Sequence, residues 1–196
     1  MKLIIASGNK HKIYEIKKIL GEKFDEIVSM KEEGIFHETV EDGETFLENA
    51  EKKAREIAEI SGCATLADDS GICAHALGGA PGIYSARFSG DHGDDEKNND
   101  LLLEKLKDKS DRTAHYTCAM VICFPNGELV SCEGYMYGEI TTERHGSGGF
   151  GYDPIFRPEG EVRTVGEMTD EEKNKISHRA KALWGLLEKL QKRESH

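Results

Sequence analysis

The chain has 196 residues, which is enough for one domain with a sizeable hydrophobic core. Its net charge of −11, with no basic block, argues against a nucleic-acid partner, although an anionic small substrate remains compatible with locally gathered cations. The sequence contains no signal-peptide pattern and no apolar run of membrane-spanning length, so we expect no membrane partner. The five cysteines form no paired motif and the eight histidines no ligand cluster, a usage typical of a reduced, cytoplasmic protein without zinc.

The N-terminal segment predicts a strand, a tight turn and a helix. Lys2–Ala6 is apolar enough for a short buried strand, and Ser7-Gly8-Asn9 turns the chain, with Asn9 as the helix N-cap. A helix that begins after such a turn presents backbone N–H groups to an anion, although the Walker A pattern is missing. Lys10 and Lys12 lie in its first turn, where a cation opposes the helix dipole unless an anion binds there. An ordinary turn with solvated lysines is the alternative.

Two adjacent carboxylates, Asp68 and Asp69, follow the apolar run Ala64–Ala67 and precede Gly71. We expect the strand to end at this glycine, with the carboxylates at its tip, where α/β enzymes tend to place their chemistry. Because side chains alternate along a strand, one carboxylate faces a cleft and the other bonds backbone groups in the turn. Such a position suits Mg²⁺, which prefers oxygen ligands. The alternative is an Asp-rich turn without a catalytic role.

A polar connection, Lys31–Asp42, precedes this strand by one helix. It carries Glu38 and Glu41, either of which is a candidate for a second metal carboxylate, although acidic loops are usually only solvated. Thr45 and Glu48 form a capping box that begins the helix leading to the two aspartates. The acidic loop is therefore expected near the carboxylates.

The central part of the chain predicts a mixed sheet. The glycine-rich stretch 77–88 is expected to be ordered, and a helix near 101–106 is expected to have a solvated polar face. Residues 114–124 are apolar on both faces, as in a central strand, and the turn 125–127 leads to a returning antiparallel strand at 128–137. Early strand–helix units followed by a hairpin exclude a doubly wound sheet.

Two polar segments in the last third of the chain have the composition of a ligand site. Phe150 and Tyr152, in a glycine-rich segment, offer flat faces on which a base can stack, but they are equally compatible with two core aromatics in a bend. Lys173, His178 and Arg179 follow a capping box at Thr169 to Glu172. The alternative for His178 and Arg179 is a surface pair at a helix start.

Together, five segments resemble one family of enzymes. They are Ser7–Lys12, Ala67–Gly71, Leu77–Phe88, Gly149–Pro154 and Glu171–Arg179. The chain is similar to the inosine triphosphatase-like nucleoside triphosphate pyrophosphatases, which remove ITP, dITP and XTP. The resemblance implies one α/β domain over residues 1–196, with an elongated long mixed sheet flanked by helices, two lobes with a central cleft, and a homodimer.

The resemblance also implies roles for individual residues. Asp69 is the expected catalytic carboxylate and metal ligand. Glu41 is the expected second Mg²⁺ ligand, with Glu38 in reserve, because Val40 occupies the position at which some members carry the glutamate. The expected substrate contacts are Ser7, Gly8, Asn9, Lys10, His11, Lys12, Ser70, Phe150, Gly151, Tyr152, Asp153, Lys173, His178 and Arg179.

The implied reaction is Mg²⁺-dependent hydrolysis of non-standard purine nucleoside triphosphates to the monophosphate and pyrophosphate, which keeps these nucleotides out of nucleic acid. One alternative is a Maf-like nucleotide pyrophosphatase with another base preference. A second alternative is a nucleotide-binding module without catalysis. The carboxylates beside the expected phosphate site favour the enzyme, because a pure binder gains little from them without a metal.

Overall fold

The computed structural model describes residues 1–21, 23–90 and 93–194. Within these residues the chain forms six β-strands, five α-helices and several short 3₁₀ turns. The elements follow in the order β1 Lys2–Ile5, α1 Lys10–Leu20, β2 Glu26–Ser29, α2 Phe46–Ser61, β3 Ala64–Ala74, α3 Asp95–Leu106, β4 Thr113–Cys123, β5 Leu129–Ile140, β6 Phe156–Pro158, α4 Asp170–Ile176 and α5 His178–Glu194.

The six strands of the described residues form a single sheet in the order β2-β1-β3-β4-β5-β6. Strand β1 pairs in parallel with both β2 and β3, whereas β5 pairs antiparallel with β6. The prediction of a mixed sheet flanked by helices is therefore confirmed. The predicted central strand is also confirmed, because β4 lies inside the sheet and almost all of its residues are buried.

Local capping signals set the beginnings of the helices where the sequence predicted them. The Asn9 side chain accepts hydrogen bonds from the backbone N–H groups of His11 and Lys12 at the start of α1. Thr45 and Glu48 form the predicted capping box of α2, which ends at Gly62 in the left-handed conformation. Such reciprocal bonds satisfy backbone donors that have no partner inside the helix.

Removing the Thr45 cap is expected to weaken the fold without affecting the sheet. Thr45→Ala removes the hydroxyl that accepts from the Glu48 N–H at 3.1 Å, and we expect the free energy of unfolding to fall by about 1 kcal/mol. Denaturant unfolding measures this change. Thr45→Ser retains the hydroxyl and is the matched control, so an equal loss in both variants would contradict a capping role.

Strand β3 does not end at Gly71, as the sequence predicted, but continues to Ala74. The prediction was wrong because a glycine ends a strand only where the extended backbone after it has no hydrogen-bond partners. Here the backbone groups beyond the glycine have partners, because the N–H of Ile72 donates to Ser85 Oγ and that of Ala74 to the Ala80 carbonyl. Asp68 and Asp69 consequently lie inside a central strand, not at its tip.

The chain divides into two compact units, and three of the strands contribute residues to both. The first unit consists of the described residues within Met1–Asp69, Cys118–Gly134 and Arg179–His196. Its core has two parts, because alternate residues of β1, β3 and β4 face opposite sides of the sheet. Leu3, Leu66 and Met120 pack with residues of α1 and α5, and Ile4 and Val121 belong to the part that contains α2.

The second unit consists of the described residues within Ser70–Thr117 and Tyr135–His178. Its core joins α3 to the sheet through Leu102, Leu106, Ile72 and Met136. The glycine-rich stretch 77–88 is ordered, as predicted, and contains the 3₁₀ turn Gly82–Arg87. Among the described helices, none is long and apolar enough to cross a membrane.

Candidate active site

Asp69 lies in the first unit with its side chain nearly buried, only 7% of the residue being exposed. Asn49 of α2 donates a hydrogen bond from Nδ2 to Asp69 Oδ2 at 3.1 Å. Burial, and to a smaller extent the charge of Glu41, raises the pKa of Asp69 to about 6, against the opposing charges of Lys53 and Lys12. A carboxylate with this pKa can accept a proton near neutral pH, which is what a general base requires.

Glu41 and Lys53 accompany this carboxylate. The Lys53 ammonium forms an ion pair with Glu41, and both side chains are largely buried. Burial lowers the pKa of Lys53, but the charges of Asp68, Asp69 and Glu41 outweigh it and raise the pKa overall. Lys53 therefore stays protonated among three carboxylates.

The other candidate in the acidic loop, Glu38, is exposed to solvent, whereas Glu41 is partly buried. Because Glu41 acts electrostatically on Asp69, the structure favours it as the partner carboxylate. Its role as a metal ligand stays a prediction.

Asp68 points to a different set of partners and is 2% exposed. Its Oδ2 lies 3.0 Å from the Lys12 ammonium and 3.5 Å from Arg179 Nη2, and Arg179 also pairs with Glu15 of α1. Burial raises the pKa of Asp68, but the charges of Lys12, Arg179 and Lys53 outweigh it and hold the pKa far below its usual range. The expectation that the two carboxylates lie at a turn is wrong, because both are within a strand, where Asp68 forms a buried ion-pair network.

The turn before α1 differs from the expectation in one respect. Asn9 Oδ1 accepts from the N–H groups of His11 at 2.9 Å and Lys12 at 3.2 Å, and the Asn9 N–H itself donates to Ser7 Oγ at 3.1 Å. The predicted open amides are therefore already bonded at His11 and Lys12, because the cap that starts the helix uses them. Gly8 and Lys10 are exposed.

A second group of predicted residues lies in the second unit, around Asp153. The Lys173 ammonium donates to Asp153 Oδ2 at 2.9 Å, and the Phe150 N–H donates to the same oxygen at 3.0 Å. Lys173 Nζ also lies 4.5 Å from the centre of the Phe150 ring. These contacts hold a buried cation against an aromatic face.

His178 is held by the same group through Tyr116. The two rings are nearly parallel, with their centres 4.5 Å apart, and Tyr116 donates from its hydroxyl to Asp153 Oδ1 at 3.2 Å. Burial and the charge of Asp153 raise the pKa of Tyr116, so this hydroxyl stays protonated. The alternative of a surface pair is excluded for His178 and Arg179, which are 4% and 1% exposed.

Tyr152 does not offer an open face for stacking, and the alternative of a core aromatic holds for this residue. Its ring belongs to the core of the second unit and its hydroxyl donates to the Ser85 carbonyl at 2.6 Å. Phe150 is only partly buried and is the remaining candidate for stacking. Gly149 precedes it at a φ of +70°, and a Cβ at this position would collide with the Asp153 carboxylate.

Helix α3 holds the loop that contains Gly151. The Gly151 N–H donates to Asp95 Oδ2 at 2.8 Å and its carbonyl accepts from Asn99 Nδ2 at 2.9 Å. The expectation of a solvated polar face on α3 is wrong at Asn98 and Asn99, each 1% exposed, because both amides bond to loop backbone. Ser70 lies partly buried within β3.

The structure thus gathers the predicted residues into three groups. In the first unit, Lys12, Asp68 and Arg179 form one group, and Glu41 and Asp69 form another. In the second unit, the third group consists of Phe150, Asp153, Lys173 and His178. Sequence reasoning missed Glu15, Asn49, Lys53 and Tyr116. Two of these carried a signal: Asn49 and Lys53 lie one helical turn apart and directly precede Ala50 and Ala54, which are on the core face of α2. A polar residue that borders a core face needs a buried partner.

The donor set around Asp69 fits a hard divalent cation. Among the described residues there is no cluster of three or more His, Cys, Asp or Glu side chains placed to hold a metal. Mg²⁺ does not require such a cage, because it commonly takes one or two carboxylates and completes its shell with water and substrate phosphates. Asp69 and Glu41 supply two carboxylates whose mutual repulsion a cation would relieve.

Comparison with known proteins identifies the family. A sequence model described as the Ham1 family matches residues 3–189. The dITP/XTP pyrophosphatase of Desulfotalea psychrophila is 47% identical over 181 residues, covering 92% of this chain and 81% of that protein. The dITP/XTP pyrophosphatase of Clostridium perfringens is 47% identical over 197 residues, covering 96% and 97%.

A solved structure supports the fold as well. The Staphylococcus aureus Ham1 protein superposes with a TM-score of 0.89 at 36% identity, covering 98% of this chain and 100% of that one. The resemblance inferred from the five motif segments is confirmed by these matches. Because both the sequence model and the relatives match nearly the whole length, the chain belongs to the Ham1 family.

Proposed function

We propose that this protein hydrolyses non-standard purine nucleoside triphosphates (ITP, dITP and XTP) to the monophosphate and pyrophosphate, with Mg²⁺ as the cofactor, and so keeps these nucleotides out of nucleic acid. The observation that carries the proposal is Asp69, a nearly buried carboxylate with a pKa of about 6 beside Glu41. The relatives' activity, as their name dITP/XTP pyrophosphatase gives it, supports the substrate class.

The proposed chemistry is attack of water on the α-phosphorus. The new bond joins the water oxygen to the α-phosphorus, the bond from this phosphorus to the bridging oxygen breaks, and pyrophosphate leaves. Asp69 orients the water and takes its proton, as a carboxylate within hydrogen-bond reach of the water can. When bound by Asp69 and Glu41, Mg²⁺ supplies positive charge that stabilises the phosphate oxygens.

Two lysines of the first unit supply further positive charge. Lys12 and Lys53 both act on Asp69 electrostatically, so their ammonium groups are close to the proposed reaction centre. Fixed cations that face the charge developing in the transition state need no reorganisation during the reaction. We assign both to the phosphates of the substrate, with Ser7 to His11 forming the surrounding turn.

The group around Asp153 is proposed to select the base. Hypoxanthine and xanthine carry a keto oxygen at position 6, which accepts hydrogen bonds, whereas adenine carries an amino group, which donates. Lys173 has donors and no acceptor, so adenine would bring a donor to a donor. A site of this kind rejects the wrong partner by about 10⁴-fold, because buried polar groups are left unpaired.

Replacement of Lys173 is therefore expected to reduce base selectivity. In Lys173→Met, we expect kcat/KM to fall by about 100-fold or more for ITP and by less than about tenfold for ATP. Lys175→Met, an exposed lysine on the same helix, is the matched control. The ratio of the two substrates is the measurement, since a folding defect lowers both rates alike. An unchanged ratio would remove Lys173 from base recognition.

The decisive experiment identifies the phosphate product. The purified protein is incubated with ITP, dITP, XTP, ATP, GTP and pyrimidine triphosphates, with Mg²⁺ or with a chelator, and pyrophosphate is measured apart from orthophosphate. We expect Mg²⁺-dependent pyrophosphate from ITP, dITP and XTP. A preference for pyrimidine or modified nucleotides would favour the Maf-like alternative, and binding without turnover would favour the non-catalytic module.

The family resemblance also implies a homodimer, the cysteine usage indicates a cytoplasmic location, and both belong to the proposal. Light scattering coupled to gel filtration gives the mass in solution, against 21.8 kDa for one chain. Cell fractionation tests the location.

A further inference from the structure

Asn49 of α2 bridges two parts of the first unit through both ends of its amide. The side chain is almost fully buried, with 1% of the residue exposed. Its Oδ1 accepts from the Gly43 N–H at 2.8 Å, and its Nδ2 donates to Asp69 Oδ2 at 3.1 Å. The orientation of the amide is fixed by chemistry, because a backbone N–H can only donate and an ionised carboxylate can only accept.

The loop that carries Glu41 approaches α2 very closely at Gly43. A Cβ built on Gly43 would lie 2.7 Å from Asn49 Oδ1 and 2.9 Å from Glu48 Cβ, so a larger residue would displace the loop or Asn49. The same loop is joined to α2 by the Lys53–Glu41 ion pair and by the contact of Lys52 with Asp42 at 2.7 Å. Side chains of helix α2 therefore contact both the loop that carries Glu41 and the Asp69 carboxylate.

An asparagine at this position lowers the stability of the protein unless the hydrogen bonds of the bridge contribute something in return. The residue stands beside Ala50 on the core face of the helix, where an apolar side chain would avoid the desolvation of an amide. Asparagine is also a weaker helix former than leucine or alanine. Among side chains of this size, only an amide offers one donor and one acceptor pointing in different directions.

We propose that Asn49 is a positioning residue that holds the loop of Glu41 at a fixed place relative to the Asp69 carboxylate. Through this bridge, the two carboxylates assigned to Mg²⁺ are kept at a constant spacing before the ion binds. The inference rests on the proposed function, since that function assigns these carboxylates to a metal. Partners that orient metal-binding side chains typically change metal affinity or activity by about 10–100-fold when they are replaced.

Two substitutions separate the two halves of the bridge. Asn49→Asp keeps the acceptor for the Gly43 N–H and replaces the donor to Asp69 with a second acceptor. Asn49→Leu removes both bonds at nearly constant volume. The matched controls are Asn98→Asp and Asn98→Leu, because Asn98 is an equally buried helical asparagine whose amide accepts from the Ser89 N–H and donates to the Ala86 carbonyl.

Three readouts distinguish positioning from general stability. They are the thermal unfolding midpoint, the kcat and KM for ITP together with the Mg²⁺ concentration for half-maximal rate, and the dissociation constant of Mn²⁺ measured by electron paramagnetic resonance without nucleotide. Mn²⁺ is the probe because it prefers the same oxygen ligands as Mg²⁺ and is detected directly. We expect Asn49→Leu to weaken Mn²⁺ binding and to lower kcat by about 10–100-fold, with a much smaller change in KM. Asn49→Asp adds a carboxylate that can itself bind Mn²⁺, so its readout is kcat, which we expect to fall to a similar degree.

The Asn98 variants are expected to lower the unfolding midpoint without changing Mn²⁺ binding. If the Asn49 variants lose stability to the same degree but retain wild-type Mn²⁺ binding and kcat, Asn49 is merely structural and the inference is overturned. Should either Asn49 variant not fold, Gly43→Ala tests the same bridge from the loop side and is expected to weaken Mn²⁺ binding in the same direction. Wild-type Mn²⁺ binding in Gly43→Ala would then overturn the inference.

Failure of the proposed function is recognised separately. If the wild-type protein releases no pyrophosphate from any triphosphate, that function fails. The Mn²⁺ titrations then decide the inference about Asn49 without any activity measurement.

Discussion

Replacement of Asp69 by asparagine is expected to lower kcat for pyrophosphate release by at least about 10³-fold while leaving the fold intact. The amide has nearly the shape of the carboxylate and can still accept from Asn49 Nδ2, so the packing of β3 is preserved. It cannot take a proton from water, and it is a poorer ligand for Mg²⁺. Steady-state kinetics measure the loss, and circular dichroism checks the fold.

Asp42→Asn is the control for this experiment. Asp42 lies in the acidic loop next to Glu41 and contacts Lys52 of α2, and its carboxylate is mostly exposed. We expect it to retain at least about half of the wild-type rate, because an exposed ion pair contributes little. Near-wild-type activity in Asp69→Asn would remove Asp69 as the base, whatever the control shows.

Asp69→Asn is also expected to stabilise the metal-free protein at neutral pH. Folding raises the pKa of Asp69 from 3.8 to about 6, so the folded state binds this proton more tightly than the unfolded state does. The wild type therefore loses stability relative to Asp69→Asn as the pH rises from about 4 to about 6. Above that range the difference reaches about 2–3 kcal/mol. Denaturant unfolding in a chelator at both ends of the range measures it, and an equal pH dependence of the two proteins would contradict the raised pKa.

Removal of the Arg179 guanidinium is expected to have the largest effect on stability. Arg179→Met leaves the buried carboxylate of Glu15 without its guanidinium partner and removes the Arg179 ion pair from Asp68, which keeps that with Lys12. Breaking a buried ion pair on one side typically costs about 3–5 kcal/mol, because the remaining charge stays desolvated. Denaturant unfolding at neutral pH is the measurement.

Two variants test the cause of this loss. Arg193→Met removes another arginine of α5, which pairs with Glu128 at the surface, and is expected to cost less than about 1 kcal/mol. The double variant Arg179→Met with Glu15→Gln removes both charges and should lose less than the sum of the single variants. Additive losses would show that Arg179 stabilises the protein by packing alone.

The sequence predicted features that depend on neighbouring residues in the chain. Asn9 and Thr45 cap their helices as expected, since a cap needs only the first turn that follows it. Strand β4 was recognised because it is apolar on both faces, a pattern that requires burial on both sides.

Features that depend on distant contacts were predicted less well. Gly71 indicated a turn, but Ser85 and Ala80, which come later in the chain, bond the backbone beyond it and β3 continues to Ala74. The sequence left open whether Tyr152 stacks on a base or lies in the core, and the Ser85 carbonyl, 67 residues earlier in the chain, holds its hydroxyl in the core. Lys53 was overlooked because its partners, Glu41 and the two aspartates, lie in other segments of the chain.

The ion-pair network of Asp68 has a consequence for the order in which the protein matures during synthesis. Arg179 lies 111 residues after Asp68 and 164 residues after Glu15 in the chain. Contacts of such long sequence separation form late, since the intervening segments must be ordered first. A ribosome-bound chain that has emerged only as far as β6 therefore holds Glu15 and Asp68 without their guanidinium. The nascent enzyme acquires its complete charge balance only when the last helix has emerged and docked.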